Sequence, residues 1–248
     1  MARVEIRDLT IRFPVYGADS RSFKRRITGV VGGSLGRASR TSPALVQALH
    51  KINLTLEPGD RLGLIGHNGA GKTTLLRTIA GAYAPDEGSI MTEGKIASLL
   101  EPMLGMDVFV TGLENIRLRG LLMGLTNREI RDRTEEIAEF TGLGPFLGLP
   151  LKTYSAGMIG RLAFAVSTAV DADILLMDEW LGAGDANFRQ QAHDRLMDLF
   201  ASSKIVVLAS HDMSLLRDLC NKFMVLKGGF GTRPFTAAEL DHLDLGKV

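Results

Sequence analysis

Val4 and Ile6, then Leu9, Ile11 and Phe13, alternate with polar residues. This period of two predicts a strand with one buried face over Val4–Phe13. Regular patterning resumes at Leu49–Leu56, breaks at Glu57-Pro58-Gly59-Asp60, and returns as the apolar run Arg61–Ile65, which ends in glycines. Thr73–Gly81 then has helical spacing at Leu75, Leu76, Ile79 and Ala80, and a turn is expected at Pro85–Gly88. From Thr111 to Phe146 polar residues such as Arg128, Glu129, Arg131, Asp132 and Glu135 surround Ile130, Ile137 and Phe140, the pattern of a helical subdomain. Ile174–Met177 and Lys204–Ala209 are short, apolar throughout and separated by a helical stretch, as parallel strands covered on both faces should be. The order of elements predicts an α/β fold around a buried parallel sheet, with no internal repeat.

Composition narrows the class. At about 150 residues per domain, 248 residues allow one large domain or a core with a smaller companion. The fractions of hydrophobic (45%) and charged (23%) residues are those of a globular protein, which excludes a disordered tail, a collagen-like rod and a coiled coil. A net charge of +1 supplies no broad basic surface, so nucleic acid is not an expected partner. The single cysteine, Cys220, excludes an internal disulfide and fits a reducing compartment. With no long apolar run and no signal-like start, the chain is expected neither to span a membrane nor to be secreted. One segment departs from this balance: residues 17–43 hold Arg21, Lys24, Arg25, Arg26, Arg37 and Arg40 against the single acid Asp19, and read as a basic insertion between strands.

Gly66-His67-Asn68-Gly69-Ala70-Gly71-Lys72-Thr73 follows an apolar strand and opens a helix. Two glycines four residues apart before Lys and Thr form a phosphate loop. Backbone N–H groups of Gly69, Ala70, Gly71, Lys72, Thr73 and Thr74 are expected to point at phosphate oxygens, helped by the helix N-terminus. Lys72 would bridge the β- and γ-phosphates, and Thr73 would offer its hydroxyl to Mg²⁺. The strand Ile174–Met177 delivers two adjacent acids at its carboxyl end. Asp178 is placed to hold Mg²⁺, and Glu179 to orient and polarise an attacking water. His211 follows the strand Ile205–Ala209, should emerge at the same sheet edge, and is expected to reach the γ-phosphate. Tyr154-Ser155-Ala156-Gly157-Met158 precedes an apolar helix for which Ser155 is a credible N-cap.

Taken with the phosphate loop and the paired acids, that segment resembles the LSGGQ signature loop of the nucleotide-binding subunit of ATP-binding cassette (ABC) transporters, and nearly the whole chain is covered. The resemblance implies a P-loop NTPase (RecA-like) core with a mainly parallel sheet, an antiparallel β portion and an inserted helical subdomain. The whole of 1–248 would be one ABC ATPase domain, with its core in 1–100 and 171–248 and the helical subdomain in 101–170. It further implies an ATPase using ATP and Mg²⁺, in which Ser155 and the N–H of Gly157 bind the γ-phosphate held by a second copy. Gly182–Asp185 corresponds to the D-loop, where Asp185 would couple the two sites. Glu101 takes the position usually filled by glutamine at the transmembrane contact. For the adenine-stacking aromatic, Phe13 and Tyr16 both qualify, with Tyr16 placed first.

The Tyr-Ser-Ala-Gly-Met loop, the Gly-Asp D-loop, Glu101 and the stretch Asp19–Lys24 are together similar to the subfamily exporting O-antigen, capsule or teichoic acid. That similarity implies a homodimer serving two copies of a separate permease, peripheral on the cytoplasmic face of the inner membrane, and meeting a lipid-linked glycan only indirectly. The basic cluster Arg21, Lys24, Arg25 and Arg26 would then face a lipid pyrophosphate or anionic headgroups. A subunit for another cargo, such as a lipid or a drug, is the alternative. The chain ends soon after His211, so no carboxyl-terminal carbohydrate-binding domain is expected. A DNA- or ribosome-directed ABC ATPase would need a coiled-coil insertion or two cassettes, and a P-loop kinase or GTP switch would lack the signature loop.

Overall fold

The structure is a computed structural model and describes residues 1–15, 44–179 and 186–240; Tyr16, the basic segment 17–43 and Asp185 lie outside them. In chain order the first elements are β1 (Arg3–Val15), β2 (Ala44–Leu56), β3 (Arg61–Ile65), α1 (Lys72–Ile79), β4 (Glu87–Glu93) and β5 (Ile96–Ser98). Next come α2 (Gly112–Leu122), α3 (Asn127–Thr141), α4 (Ala156–Ser167), β6 (Ile174–Asp178) and α5 (Ala186–Ser202). The chain closes with β7 (Ile205–Ala209), α6 (Met213–Leu219), β8 (Lys222–Lys227), β9 (Phe230–Gly231), β10 (Phe235–Thr236) and α7 (Ala237–Leu240). Two compact units result: Met1–Gly94 with Leu176–Glu179 and Lys204–Val248, and Lys95–Leu175 with Trp180–Ser203.

In the first unit β1 lies between β2 and β4 in an antiparallel sheet, with Val4 opposite Leu56 and Thr92. The alternation that predicted β1 buries Val4, Ile6, Leu9 and Ile11 together with Leu49, Ile52, Leu54 and Leu56 of β2. The phase slips between Ile6 and Leu9, where Asp8 takes a positive φ of 47° and the register shifts. β2 begins before the predicted Leu49, because its first residues pair with the end of β1 from Val46–Phe13 to Ala44–Val15. The expected turn at Pro85–Gly88 is shorter than read: β4 already starts at Glu87, and six of its seven residues are exposed, so no apolar pattern announced it.

The second sheet of this unit carries the site. β3 runs parallel to both β7 and β8, pairing Leu62 with Val207 and Lys222, and β10 closes one edge antiparallel to β8. All five residues of β7 and the first four of β6 are buried, as strands covered on both faces require. Gly63 sits where a Cβ would come within 3.1 Å of Phe223 and 3.3 Å of Leu216, so its absence lets α6 pack closely on β3.

In the second unit the helical stretch from Thr111 to Phe146 resolves into two helices, broken at Gly124 (φ 83°) and finished by a 3₁₀ turn over Gly144–Gly148. Each helix opens on a capping box: Thr111 accepts the N–H of Glu114 and Thr126 that of Glu129, while each glutamate reaches back to the cap. Ile116, Ile130, Ile137, Leu147, Leu151, Leu162 and Val166 form the core. Phe140, Phe164 and Phe188 pack beside one another with centroids 5.5–6.0 Å apart, and Arg195 lies 4.6 Å above the Phe140 ring. Two polar side chains on one face of α2 are also buried, Asn115 and Arg119. Burial pushes the Arg119 guanidinium down to about 10, which leaves it charged at neutral pH.

Candidate nucleotide site

The carboxyl ends of β3, β6 and β7 open on one edge of the parallel sheet, where α/β folds bind ligands. From β3 the chain enters the loop through Gly66 at φ 156°, where a Cβ would stand 2.4 Å from the carbonyl of Leu226. Gly69 and Gly71 have φ of 80° and 111°, a left-handed path that glycine takes without strain. Gly71 is the N-cap of α1 and no side chain caps the helix. The first helical bond of α1 runs from Leu75 to Gly71, so the N–H groups of Lys72, Thr73 and Thr74 face the helix mouth without an intrahelical acceptor. Ala70 differs from the expectation: its N–H donates to the carbonyl of His67 at 3.1 Å and is used within the loop.

Lys72 is buried and donates to the carbonyls of Gly66 at 2.5 Å and His67 at 3.3 Å. Burial holds its ammonium below the ordinary lysine value, and the charges of Asp178 and Glu179 pull it back up. Thr73 Oγ1 donates to Asp178 Oδ2, so the helix and the end of β6 present two oxygens side by side. Among the described residues no three His, Cys, Asp or Glu side chains come together as a metal cluster. A two-oxygen set suits Mg²⁺, which takes one or two protein ligands and completes its shell with water and phosphate oxygens.

Glu179 is the first residue past β6 and adopts φ 65°, a left-handed conformation costing on the order of 1 kcal/mol outside glycine. Its N–H donates to the carbonyl of Ala209 at 2.7 Å, which ties the turn to the end of β7. His211 Nε2 lies 3.5 Å from Glu179 Oε1 and 2.9 Å from Asn68 Oδ1. The imidazole thus bridges the phosphate loop and the acid, and both side chains remain open to solvent. Nothing in the sequence announces this contact between the Asn68 side chain and the imidazole.

The structure brings Gly66, Asn68, Gly69, Gly71, Lys72, Thr73, Thr74, Asp178, Glu179 and His211 together in the first unit. Ser155, Gly157 and Glu101 belong to the second unit. There Ser155 accepts the N–H of Met158 at 3.2 Å as N-cap of α4, and Ser155, Gly157 and Glu101 are all exposed. Phe13 is half-buried with its ring edge-on to Tyr83, centroids 5.1 Å apart. The sequence reading also missed an apolar groove of about 360 Å³ in the second unit, with Pro102 and Met103 on one side and Ile159, Gly160, Ala163 and Phe164 of α4 on the other. Its signal was the small residues Gly160 and Ala163 one helical turn apart.

Residues 49–182 match the profile of the family described as ABC transporter. The chain is 45% identical over 230 residues to the O-antigen export system ATP-binding protein RfbE of Yersinia enterocolitica, covering 92% of this chain and 96% of that protein. It is 40% identical over 205 residues to an O-antigen export ATP-binding protein, RfbB, of Myxococcus xanthus, covering 83% of this chain and spanning about half (47%) of that longer protein. A teichoic acids export ATP-binding protein, TagH, of Staphylococcus saprophyticus is 38% identical, over 73% of this chain and 69% of that protein. Two solved structures share the fold at 20% identity: an ATP-binding subunit of an ABC transporter (TM-score 0.69, 96% of this chain and 92% of that one), and a dimeric post-hydrolysis ATP-binding cassette bound to ADP and Pi (TM-score 0.65, 94% and 98%). With its phosphate loop, paired acids and these relatives in agreement, the chain belongs to the ABC transporter family and is an ATPase of that family.

Proposed function

We propose that the chain is the ATP-hydrolysing motor subunit of an exporter of a lipid-linked polysaccharide. It would act as a homodimer beneath two copies of a separate permease, at the cytoplasmic face of the inner membrane. The observation that carries the hydrolytic reading is the meeting of Lys72, Thr73, Asp178, Glu179 and His211 at one sheet edge. The cargo rests on the O-antigen and teichoic acid export proteins that the chain resembles.

The uncapped first turn of α1 offers three N–H donors to phosphate oxygens, and Lys72 exchanges its carbonyl partners for the β- and γ-phosphates. Thr73 and Asp178 would hold Mg²⁺, which when bound neutralises charge on the β- and γ-phosphate oxygens. Glu179 orients a water and takes its proton as the oxygen attacks the γ-phosphorus. The β–γ bridging bond then breaks to leave ADP and phosphate. His211, fixed by Asn68, stays beside Glu179 and in reach of the γ-phosphate. Ser155 and the N–H of Gly157 at the mouth of α4 are exposed, as a loop must be if it is to close on triphosphate held by a second copy. Loss of the γ-phosphate removes that bridge, so the closed dimer reopens.

Glu179→Gln should cut ATPase turnover by roughly 10²–10⁴-fold while keeping ATP affinity. It should also accumulate as a dimer in light scattering with ATP and Mg²⁺. A variant that stays monomeric under saturating ATP, both alone and with its permease, rules the sandwich out. Reconstitution with the copurifying permease tests the cargo: ATP-dependent passage of a lipid-linked glycan is expected, and transport of only simple lipids or drugs would overturn that assignment.

The groove between Pro102–Met103 and α4 is where we place the permease contact. It begins beside Glu101, the position that the family resemblance assigns to the transmembrane contact, and its lining is apolar. Around it Met103, Leu104, Val108 and Phe109 are exposed, the last at 73%. No helix among the described residues is long and apolar enough to cross a membrane. The apolar lining of the groove suits a short apolar segment of the separate membrane chain.

A further inference from the structure

Arg119 is only 2% exposed, and all its hydrogen bonds go to neutral oxygens. Nε and Nη2 donate to Ser167 Oγ at 3.1 and 2.7 Å, Nη1 donates to the carbonyl of Leu104, and Nη2 reaches the carbonyl of Glu101 at 3.3 Å. Desolvation is the influence that moves its titration, with no carboxylate offsetting it. A buried cation without a counter-ion is costly, and an apolar side chain of similar volume would avoid that cost. The arrangement gains geometry instead. Glu101 and Leu104 flank Pro102 and Met103, one wall of the groove, while Ser167 is the last residue of α4, whose earlier turns form the other wall. One rigid, planar guanidinium therefore spans both walls.

Asn115, one turn earlier on the same helix face, secures the rest of the loop. It accepts the N–H of Asp107 at 2.8 Å and donates to the carbonyls of Asp107 at 2.8 Å and Val110 at 3.3 Å. Both residues grip main-chain atoms, so the apolar side chains of Met103, Leu104, Val108 and Phe109 are left facing outward.

We propose that Arg119 is a positioning residue that sets the separation of the two groove walls, so that the permease segment meets a preformed surface rather than one it must order on binding. The inference rests on the assignment of the groove to the permease. A preformed wall spares the entropy of ordering a loop of about ten residues at each docking. It also gives a bound segment a stiff lever on α4, whose other end carries Ser155. Lysine cannot reproduce the arrangement, because its compact ammonium cannot reach two carbonyls and a hydroxyl at once. Removing the serine hydroxyl leaves the Nε and Nη2 donors without their shared acceptor.

The test compares Arg119→Lys, Ser167→Ala and Ser167→Thr with the groove-filling Gly160→Leu, in the full chain with and without its permease. For Arg119→Lys and Ser167→Ala, amides of residues 103–106 should exchange about tenfold faster. Permease-stimulated ATPase should fall roughly three- to tenfold, with the basal rate and the KM for ATP of the isolated subunit unchanged. Ser167→Thr, which keeps a hydroxyl, should restore both. Unchanged exchange at 103–106 in Arg119→Lys overturns the wall-setting role. Faster exchange with normal stimulation overturns the link to docking, provided Gly160→Leu does lose stimulation. If Gly160→Leu also keeps it, the assignment of the groove fails, and the exchange measurement still decides what Arg119 does. A fall in basal rate and stimulation together, with a lower melting temperature, identifies a general scaffold role and refutes the proposal.

Discussion

Asn68 and His211 lie 143 positions apart in the chain, yet their side chains meet at 2.9 Å beside Glu179. If the histidine acts in hydrolysis, the asparagine sets its ring orientation. Asn68→Ala should then lower kcat about tenfold with the KM for ATP nearly unchanged, since the loop's binding N–H groups are untouched. A rise in KM alone would place Asn68 in binding. Cys220 answers a different question. Burial against α6 and β3 pushes its thiol up to about 12, from an ordinary value near 9. The group is neutral in the folded protein and becomes thiolate on unfolding once the pH exceeds about 9. Its contribution to stability is therefore complete below pH 9 and is lost between pH 9 and 12. At pH 8 the native thiol should resist maleimide, reacting only after denaturation, as mass spectrometry would show.

At the scale of elements, capping decides where the helices of the second unit begin. Thr126 accepts the N–H of Glu129 at 3.2 Å, and the Glu129 carboxylate accepts the N–H of Thr126 at 2.8 Å. Thr126→Ala should cost about 1 kcal/mol in denaturant unfolding, with no change in ATP binding by the first unit. The capping boxes stand in the chain as Thr-Gly-Leu-Glu and Thr-Asn-Arg-Glu, although the expectation for this stretch rests on its periodicity, which is legible without them. β3, β6 and β7 were equally legible, because a strand buried on both faces must be apolar throughout. β4 was not: a strand exposed along most of its length is specified by its pairing with β1, and such pairing leaves no periodicity. The phosphate loop could be read because glycine spacing carries backbone geometry directly. The roles of Asn115 and Arg119 could not, since apart from the Ser167 hydroxyl their partners are main-chain groups, which every residue has. The left-handed turn at Glu179 was hidden likewise, being imposed by the carbonyl of Ala209.

For the whole molecule, the central expectation is that stability depends on nucleotide and on concentration together. A ligand that binds only the folded state at a hundred times its Kd stabilises it by about 2.7 kcal/mol. If two copies enclose the nucleotide, the melting temperature of Glu179→Gln with ATP and Mg²⁺ should also climb as protein concentration rises. With ADP it should be independent of concentration. Calorimetry over a twentyfold dilution series separates the two, and equal behaviour with both nucleotides would argue for a site complete in one copy. The main-chain grip of Arg119 and Asn115 has a consequence at this scale as well. Backbone atoms are common to all sequences, so the anchoring of residues 101–110 is indifferent to which side chains that loop displays. Met103, Leu104, Val108 and Phe109 can be exchanged as a set without disturbing the scaffold beneath them, and the same engine could be refitted to a new membrane partner by rewriting a few outward-facing letters.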